Sequence, residues 1–388
     1  MFRVLQFFIA LAVFALAFWT GSHFDISPDP IQKEDLVFEP LTYTINDYFG
    51  ESEFLAAETK KIVEEMTLEE KVGQLLMPAY ESYHTTTDLE QWFARFHVGG
   101  VMTLRADLSV SQAQAIRDQY RQNASLGQTL PLFFAIDAEP SLLRFRLPAS
   151  SYTTNTKDID TIEQSQESAA LISSIIQSYG YNLNFAPVID SNGNETVISN
   201  RSYGGDAERI ANLAKAFVDT SSEFNILTVA KHFPGHGSVT GDTHNSLQTV
   251  PGDLPELPQF RLLAEHNVPM VMAGHLAVSG GEHDTGGRPA TVDSRLIQEV
   301  LREELGYEGL VVSDGMNMGA LDTFDNLAVD ALSAGIDILL MPRDIEEDFN
   351  AVVEAARNNE EFLEMIDEKV TRIVRMKLVL KWAESQTN

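Results

Sequence analysis

The sequence predicts a (β/α)8 barrel, a cylinder of eight parallel strands surrounded by helices. Short apolar runs alternate with amphipathic helical stretches, which is typical of buried parallel strands joined by helices. Eight such units occupy roughly 330 residues, which suits a barrel of this class with inserted loops. A doubly wound sheet is the structural alternative, but no Gly-x-Gly-x-x-Gly motif follows the first strands.

The composition supports a large core and limits the choice of partners. Of the 388 residues, 44% are hydrophobic, which is enough to bury a sizeable interior. The chain has 27 Lys and Arg against 57 Asp and Glu, a net charge of −30, which repels nucleic-acid phosphates and anionic membrane surfaces. We therefore expect no nucleic-acid partner. The absence of cysteine excludes disulfides, thiolate zinc sites and a cysteine nucleophile.

The N-terminus predicts export. Residues 4–19 are almost wholly apolar and follow Arg3, so we interpret residues 1–22 as a signal peptide or a membrane anchor. The protein would then be periplasmic, or tethered to the membrane and facing away from the cytoplasm. Residues 23–53 are acidic and contain prolines, which indicates a linker or an extended arm. Residues 54–388 form the predicted barrel domain.

Each of the eight predicted strands is a short apolar run bounded by turn residues. The runs are residues 72–78, 98–104, 130–137, 182–190, 226–234, 268–275, 309–314 and 335–341.

Helical patterns lie between these runs. Thr67 and Glu70 have the spacing of a capping box, which predicts a helix start. An apolar stripe covers residues 165–179, and a second covers 296–305 before Gly306, a typical residue after a helix end. A single helical tail is predicted from residue 344 to about residue 382.

Polar residues follow the strands at one end of the predicted barrel. They are Asp137, Asp190, Lys231 with His232, His275, and Ser313 with Asp314. Any one carboxylate there could simply start the next helix as an N-cap. In a barrel, however, these ends share one mouth, where active sites lie, so their number favours a functional site.

The segment after the fifth run has the composition of a shaped loop. Residues 231–237 read Lys-His-Phe-Pro-Gly-His-Gly, and Asp242 and His244 follow. Their spacing of two places both side chains on one side of an extended loop. A carboxylate beside an imidazole orients the ring, so the pair could serve as a general acid and base.

A metal site is the less favoured hypothesis. His232, His236, His244 and His275 could converge on one ion. Barrel metallohydrolases usually carry His-x-His at the end of the first strand, whereas residues 77–80 here read Met-Pro-Ala-Tyr. We predict no metal.

The 231–237 motif, with Asp-x-His after it, resembles glycoside hydrolase family 3, within it the β-N-acetylhexosaminidase branch. Residues 184–190 (Asn-Phe-Ala-Pro-Val-Ile-Asp), 201–204 (Arg-Ser-Tyr-Gly) and 289–314 are similar to further segments of that family. The resemblance covers nearly the whole barrel, in the family's order.

The resemblance implies an activity and a set of roles. Asp314 falls at the family's nucleophile, and Asp242 and His244 fall at its acid/base pair. Four residues fall at positions that bind the hydroxyls of the sugar being cleaved: Asp137, Arg201, Lys231 and His232. The implied reaction is retaining hydrolysis that removes terminal N-acetylglucosamine from peptidoglycan or chitin fragments. No metal or organic cofactor is implied, and the expected partner is an oligosaccharide substrate that contains N-acetylglucosamine, besides a possible membrane tether through residues 4–19.

Several alternatives remain open. Residues 137–141 read Asp-Ala-Glu-Pro-Ser where the family often has Asp-Gln-Glu-Gly-Gly, and either Arg144 or Arg146 could match the arginine that follows. A β-glucosidase of other sugar specificity, a non-catalytic sugar-binding barrel, and transfer of the sugar to phosphate are competing hypotheses. The sequence does not indicate an oligomeric state.

Overall fold

The computed structural model describes residues 42–104, 108–148, 150 and 152–387. The predicted leader, residues 1–22, lies outside the described residues, as does the predicted arm up to residue 41. Among the helices of the described part, none combines the length and the apolarity needed to cross a membrane.

Parallel strands form a closed barrel in the described residues. All strands of the described part of the chain, including two that lie outside the barrel, are β1 (Leu76–Met77), β2 (Ala79–Tyr80), β3 (Gly100–Thr103), β4 (Phe133–Ile136), β5 (Leu183–Asn184), β6 (Leu227–Phe233), β7 (Gln248–Pro251), β8 (Met270–Ala273), β9 (Leu276–Ser279), β10 (Leu310–Ser313) and β11 (Leu339–Leu340). One sheet runs in the order β2, β3, β4, β5, β6, β8, β10. β1 pairs with β11, and Val312 of β10 bridges Ile338 just before β11. The sheet thus closes on itself, which confirms the barrel and excludes the open doubly wound sheet.

Several predicted runs are longer than the strands of the structure, the first and the fourth among them. Residues 72–74 of the first run belong to a helix, because Thr67 and Glu70 form the capping box that starts it. The fourth run was expected to reach residue 190, but β5 ends at Asn184. Pro187 has no N–H to donate to a ladder, and only a bridge from Val188 to Lys231 continues the pairing.

Helices surround the barrel. They are α1 (Glu53–Glu65), α2 (Leu68–Gln74), α3 (Thr86–Ala94), α4 (Val110–Asn123), α5 (Leu143–Arg146), α6 (Ile162–Ser178), α7 (Ala207–Glu223), α8 (Leu257–Ala264), a π-helical segment (Arg295–Glu304), α9 (Leu327–Ala334), α10 (Ile345–Asn358) and α11 (Glu360–Thr387). The predicted single tail helix is two helices. Asn359 between them is extended, and its side chain accepts a hydrogen bond from the Phe362 N–H, which favours a new helix start.

A two-stranded sheet outside the barrel was not predicted. β7 and β9 pair in parallel over four residues each. β7 belongs to the long connection after β6, and β9 to the connection after β8. Their pairing therefore anchors the far end of the loop that carries Asp242 and His244.

The described chain before α1 packs against the last helix. Ile45–Tyr48 is a short 3-10 turn in which Ile45 and Tyr48 are buried. The Nε of Arg375 in α11 donates a hydrogen bond to the carbonyl of Tyr48 at 2.7 Å. This contact holds the chain before α1 against α11.

Candidate active site

The carboxyl ends of the barrel strands surround a cavity of about 560 Å³. In a barrel of this class, functional side chains project from these ends and the loops that follow them. The cavity is lined by all seven residues to which the resemblance gives a role: Asp137, Arg201, Lys231, His232, Asp242, His244 and Asp314. The structure therefore brings the whole predicted set together.

Asp137 follows β4 directly and contacts two cations. Lys231 Nζ donates to its Oδ1 at 2.6 Å, and Arg146 Nη2 donates to its Oδ2 at 2.9 Å. Burial on its own would raise the pKa of Asp137, but the charges of Lys231 and Arg146 outweigh it and keep the pKa well below its usual range. Asp137 is thus an ionised acceptor inside the cavity.

Glu139, two residues further on, completes this group. It is 0% exposed, and it receives two hydrogen bonds from Arg201, from Nε at 2.8 Å and from Nη2 at 2.7 Å. Lys231 Nζ lies 2.7 Å from Glu139 Oε1. We refer to Asp137, Glu139, Arg146, Arg201 and Lys231 as the charged cluster. Its fixed donors and acceptors suit sugar hydroxyls, which both donate and accept hydrogen bonds.

His232 is oriented by a buried carboxylate. Its Nδ1 donates to Asp190 Oδ2 at 2.6 Å, while Asp190 Oδ1 accepts the backbone N–H groups of His232 and His236. Burial would raise the pKa of Asp190, but His232 and these hydrogen bonds lower it to about 2. The ring proton of His232 is therefore held at Nδ1, and Nε2 lies at the opposite edge of the ring.

Glu256 lies behind this pair. Its Oε2 accepts the backbone N–H of Ser191 at 2.7 Å and that of Gly237 at 3.3 Å. Burial, followed by the nearby charge of Asp190, raises the pKa of Glu256 to about 7. Glu256 thus joins the end of the β5 region to the loop after β6.

Asp314 follows β10 and is half-buried at the cavity wall. Its Oδ1 accepts the N–H of Gly315 at 2.8 Å. Burial would raise the pKa of Asp314, but His275 and then His232 lower it. The His275 ring is held by the Gly315 carbonyl at Nε2, which must therefore donate, and by Thr291 Oγ1 at Nδ1. Asp314 is an ionised carboxylate that faces the cavity, as a nucleophile requires.

Asp242 and His244, the dyad, lie in the loop after β6. His244 donates to Asp242 Oδ1 twice, from Nδ1 at 2.7 Å and from the backbone N–H at 2.9 Å. Asn245 Nδ2 donates to the other carboxylate oxygen at 3.1 Å. The His244 side chain is 62% exposed, so its Nε2 edge is accessible to a ligand. Because Nδ1 carries the proton given to Asp242, Nε2 is the atom that can exchange a proton with substrate.

Backbone hydrogen bonds tie the dyad loop to the segment after Asp314. The N–H of Gly319 donates to the His244 carbonyl at 3.1 Å, and the N–H of Ala320 donates to the Thr243 carbonyl at 3.2 Å. A Cβ on Gly319 would lie 2.9 Å from the His244 oxygen, closer than side chains pack. The loop therefore approaches the strand end that carries Asp314, on the same cavity.

The four histidines considered as metal ligands have separate partners. His232 contacts Asp190, His244 contacts Asp242 and His275 contacts Thr291. His236 Nε2 lies 3.0 Å from Thr243 Oγ1. In the described residues, no three His, Asp or Glu side chains are grouped so that they could hold a metal ion.

The sequence alone does not assign two residues of the charged cluster. Arg144 and Arg146 were equally placed, but Arg146 contacts Asp137 and lines the cavity, whereas Arg144 donates to Asn155. The sequence marks Glu139 only as part of a segment, residues 137–141, that differs from the family's usual residues. Its spacing of two from Asp137 is the same signal that paired Asp242 with His244, and could have identified it.

Comparison with known proteins identifies relatives. The model of the glycosyl hydrolase family 3 N terminal domain matches residues 67–376. A β-hexosaminidase A from Pseudoalteromonas piscicida is 26% identical over an alignment that covers 94% of this chain and 64% of the relative. The chain thus spans just under two thirds of that relative's length.

Two solved structures are similar over most of the barrel. A glycoside hydrolase family 3 β-N-acetylglucosaminidase from Paenibacillus sp. str. FPU-7 superposes with a TM-score of 0.74 at 32% identity, covering 81% of this chain and 63% of that one. A β-N-acetylhexosaminidase from Beutenbergia cavernae gives a TM-score of 0.73 at 27% identity, covering 81% of this chain and 99% of that one.

Proposed function

This chain belongs to glycosyl hydrolase family 3, and we propose that it is a retaining exo-acting β-N-acetylhexosaminidase that removes terminal β-linked N-acetylglucosamine. The observation that carries the proposal is that Asp314 and His244 line one cavity, with Asp242 on the imidazole. The names of the relatives, β-hexosaminidase A and β-N-acetylglucosaminidase, support the choice of sugar.

The proposed reaction has two steps. Asp314 attacks the anomeric carbon and forms a covalent glycosyl-enzyme, while His244 Nε2 gives its proton to the departing oxygen. His244 then takes a proton from water, whose oxygen attacks the same carbon and releases the sugar. Asp242 holds the ring through both steps. The hydroxyls of the terminal sugar are bound by His232 and by the residues of the charged cluster that line the cavity: Asp137, Arg146, Arg201 and Lys231.

A panel of aryl β-glycosides on the purified barrel domain tests this function. We expect the N-acetylglucosaminide to be cleaved fastest. Faster cleavage of the glucoside would favour the alternative sugar specificity, and binding without cleavage of any member would favour a sugar-binding barrel.

Transfer of the sugar to phosphate is a separate hypothesis. Because the His244 imidazole is neutral after the first step, it does not repel an anion, so product analysis with and without phosphate tests this transfer.

Covalent labelling tests the nucleophile. A slow-turnover fluoro-glycoside should attach to the peptide that contains Asp314, and Asp314→Asn should abolish both labelling and turnover. Attachment to a different carboxylate would refute this assignment while leaving the activity itself intact.

We also propose that the protein is exported and acts on peptidoglycan or chitin fragments outside the cytoplasm. The apolar residues 4–19 support this location. Cell fractionation distinguishes the two forms, since a tethered protein sediments with membranes and a processed one does not. Recovery with the cytoplasmic fraction would refute export.

A further inference from the structure

Tyr83 is an aromatic side chain at the mouth of the barrel that the proposed reaction does not use. It is 69% exposed and lies in the loop after β2, at the carboxyl end of the first barrel strand. Its hydroxyl donates to Glu81 Oε1 at 3.2 Å, and Glu81 lines the same cavity as Asp314 and His244. The exposed Tyr83 side chain therefore lies next to a residue of the cavity wall.

The loop holds this ring in place. The His84 N–H donates to the Glu81 carbonyl, and the Glu81 N–H donates to His84 Nδ1, both at 3.0 Å. The Tyr83 and His84 rings have centroids 4.3 Å apart, and His84 contacts the buried Trp92 edge-on at 5.0 Å. A supported ring of this kind has little conformational freedom to lose when a ligand binds.

Other exposed apolar side chains are placed differently. Val110 lies in α4, and Ile162 and Leu171 lie in α6, helices on the outside of the barrel. Phe145 carries the Arg144 guanidinium over its ring, 4.8 Å from the centroid. Tyr83 combines exposure with a hydrogen bond to a carboxylate of the cavity.

We propose that Tyr83 and Glu81 form a subsite for the second ring of an oligosaccharide, the ring that departs in the reaction. This inference rests on the proposed function. A pyranose presents C–H bonds on its face and hydroxyls at its edge. The Tyr83 ring packs against the face, and the Glu81 carboxylate accepts hydrogen bonds from the edge. The subsite makes the enzyme prefer sugar leaving groups over small ones.

Two substrates isolate this contact. One is a trisaccharide of β-linked N-acetylglucosamine, and the other is N-acetylglucosaminyl fluoride, whose single-atom leaving group cannot reach Tyr83. Tyr83→Ala should lower the ratio of the two kcat/KM values about tenfold, because roughly 50 Å² of apolar contact is lost. Tyr83→Phe keeps the ring and should lower the ratio less. Leu171→Ala, which removes a half-exposed apolar side chain from α6 on the outside of the barrel, should leave the ratio at the wild-type value.

The outcomes separate this inference from the proposed function. If the wild-type enzyme cleaves both substrates and Tyr83→Ala keeps the wild-type ratio, the subsite is rejected and the function stands. A fall of equal size on both substrates also rejects it. If the wild-type enzyme cleaves neither substrate, the proposed function fails, and the subsite fails with it.

Discussion

Replacement of Glu139 by glutamine tests whether the charged cluster depends on a buried negative charge. Glu139 accepts hydrogen bonds from Arg201 and Lys231 and is completely buried. Asp137 and Glu139 carry two negative charges against the three positive charges of Arg146, Arg201 and Lys231, a net charge of +1. Glu139→Gln raises this to +2 and turns amide hydrogens toward cationic donors. The cluster is then left with an unbalanced buried charge.

The expected destabilisation is large. Removing one partner of a buried ion pair costs about 3–5 kcal/mol. A domain of roughly 340 ordered residues has an unfolding entropy of about 0.7 kcal/mol per kelvin, so the midpoint of thermal unfolding should fall by about 4–7 °C. Arg201 and Lys231 also lose their orientation, which should lower kcat/KM for the glycoside about 30-fold or more.

An exposed pair supplies the matched control. Arg95 and Glu346 also pair through two hydrogen bonds, but their side chains are 54% and 50% exposed. Glu346→Gln makes the same chemical change and should cost less than about 1 kcal/mol, with no effect on kcat/KM. Calorimetry and steady-state kinetics on both variants check the comparison. Equal shifts in melting temperature, or unchanged kinetics in Glu139→Gln, would show that the cluster is not sustained by this charge.

Three further predictions concern the dyad loop and its surroundings. His244→Ala should lower kcat/KM about 100-fold or more on alkyl glycosides, because their leaving groups need a proton donor. The loss should be much smaller on aryl glycosides with good leaving groups, and equal losses on both would refute an acid role. Gly319→Ala should lower kcat/KM because the added methyl group displaces the His244 carbonyl. A crystal structure or NMR chemical shifts of this variant should show changes confined to the dyad loop. The pKa of Glu256 is about 7 in the folded protein, against an ordinary value of 4.5. The stabilisation from its protonated form is therefore fully present below about pH 4.5, and roughly 3 kcal/mol of it is lost as the pH rises to about 7. Melting temperatures from pH 5 to 8 should therefore fall more steeply in the wild-type protein than in Glu256→Gln, and parallel curves would contradict this.

The strand positions were predictable because a barrel strand is buried on both faces. β6, for example, is buried at all seven residues, and its sequence is mostly apolar up to Ala230, before Lys231 and His232. The boundary errors arose where one run served two elements. Val72 is buried on the inner face of α2, while Leu75 and Leu76 lead into β1, and periodicity cannot divide so short a run.

The positions of the site residues along the chain were also predictable, but their contacts were not. Arg144 and Arg146 lie two residues apart in α5, a helix of four residues, and no sequence pattern tells which one turns toward Asp137. Similarly, strand alternation would send Lys231 and His232 to opposite faces, whereas both line the cavity. Such choices depend on the packing of neighbouring elements.

The placement of the dyad illustrates why a resemblance in motif needs a structure beside it. Asp242 and His244 can act on a sugar held at Asp314 only if their loop bends back over the cavity. Side chains hold part of this loop, since His236 contacts Thr243 and Asn194 donates to the Gly241 carbonyl. Other contacts that bend it are made by the N–H groups of Gly319 and Ala320 and by the β7–β9 pair, which are backbone groups. Their only trace in the sequence is a glycine at 319, where a side chain would strike the His244 carbonyl. The acid/base pair is therefore positioned by residues that carry no catalytic chemistry, so substitutions there should impair proton transfer while every catalytic side chain remains intact.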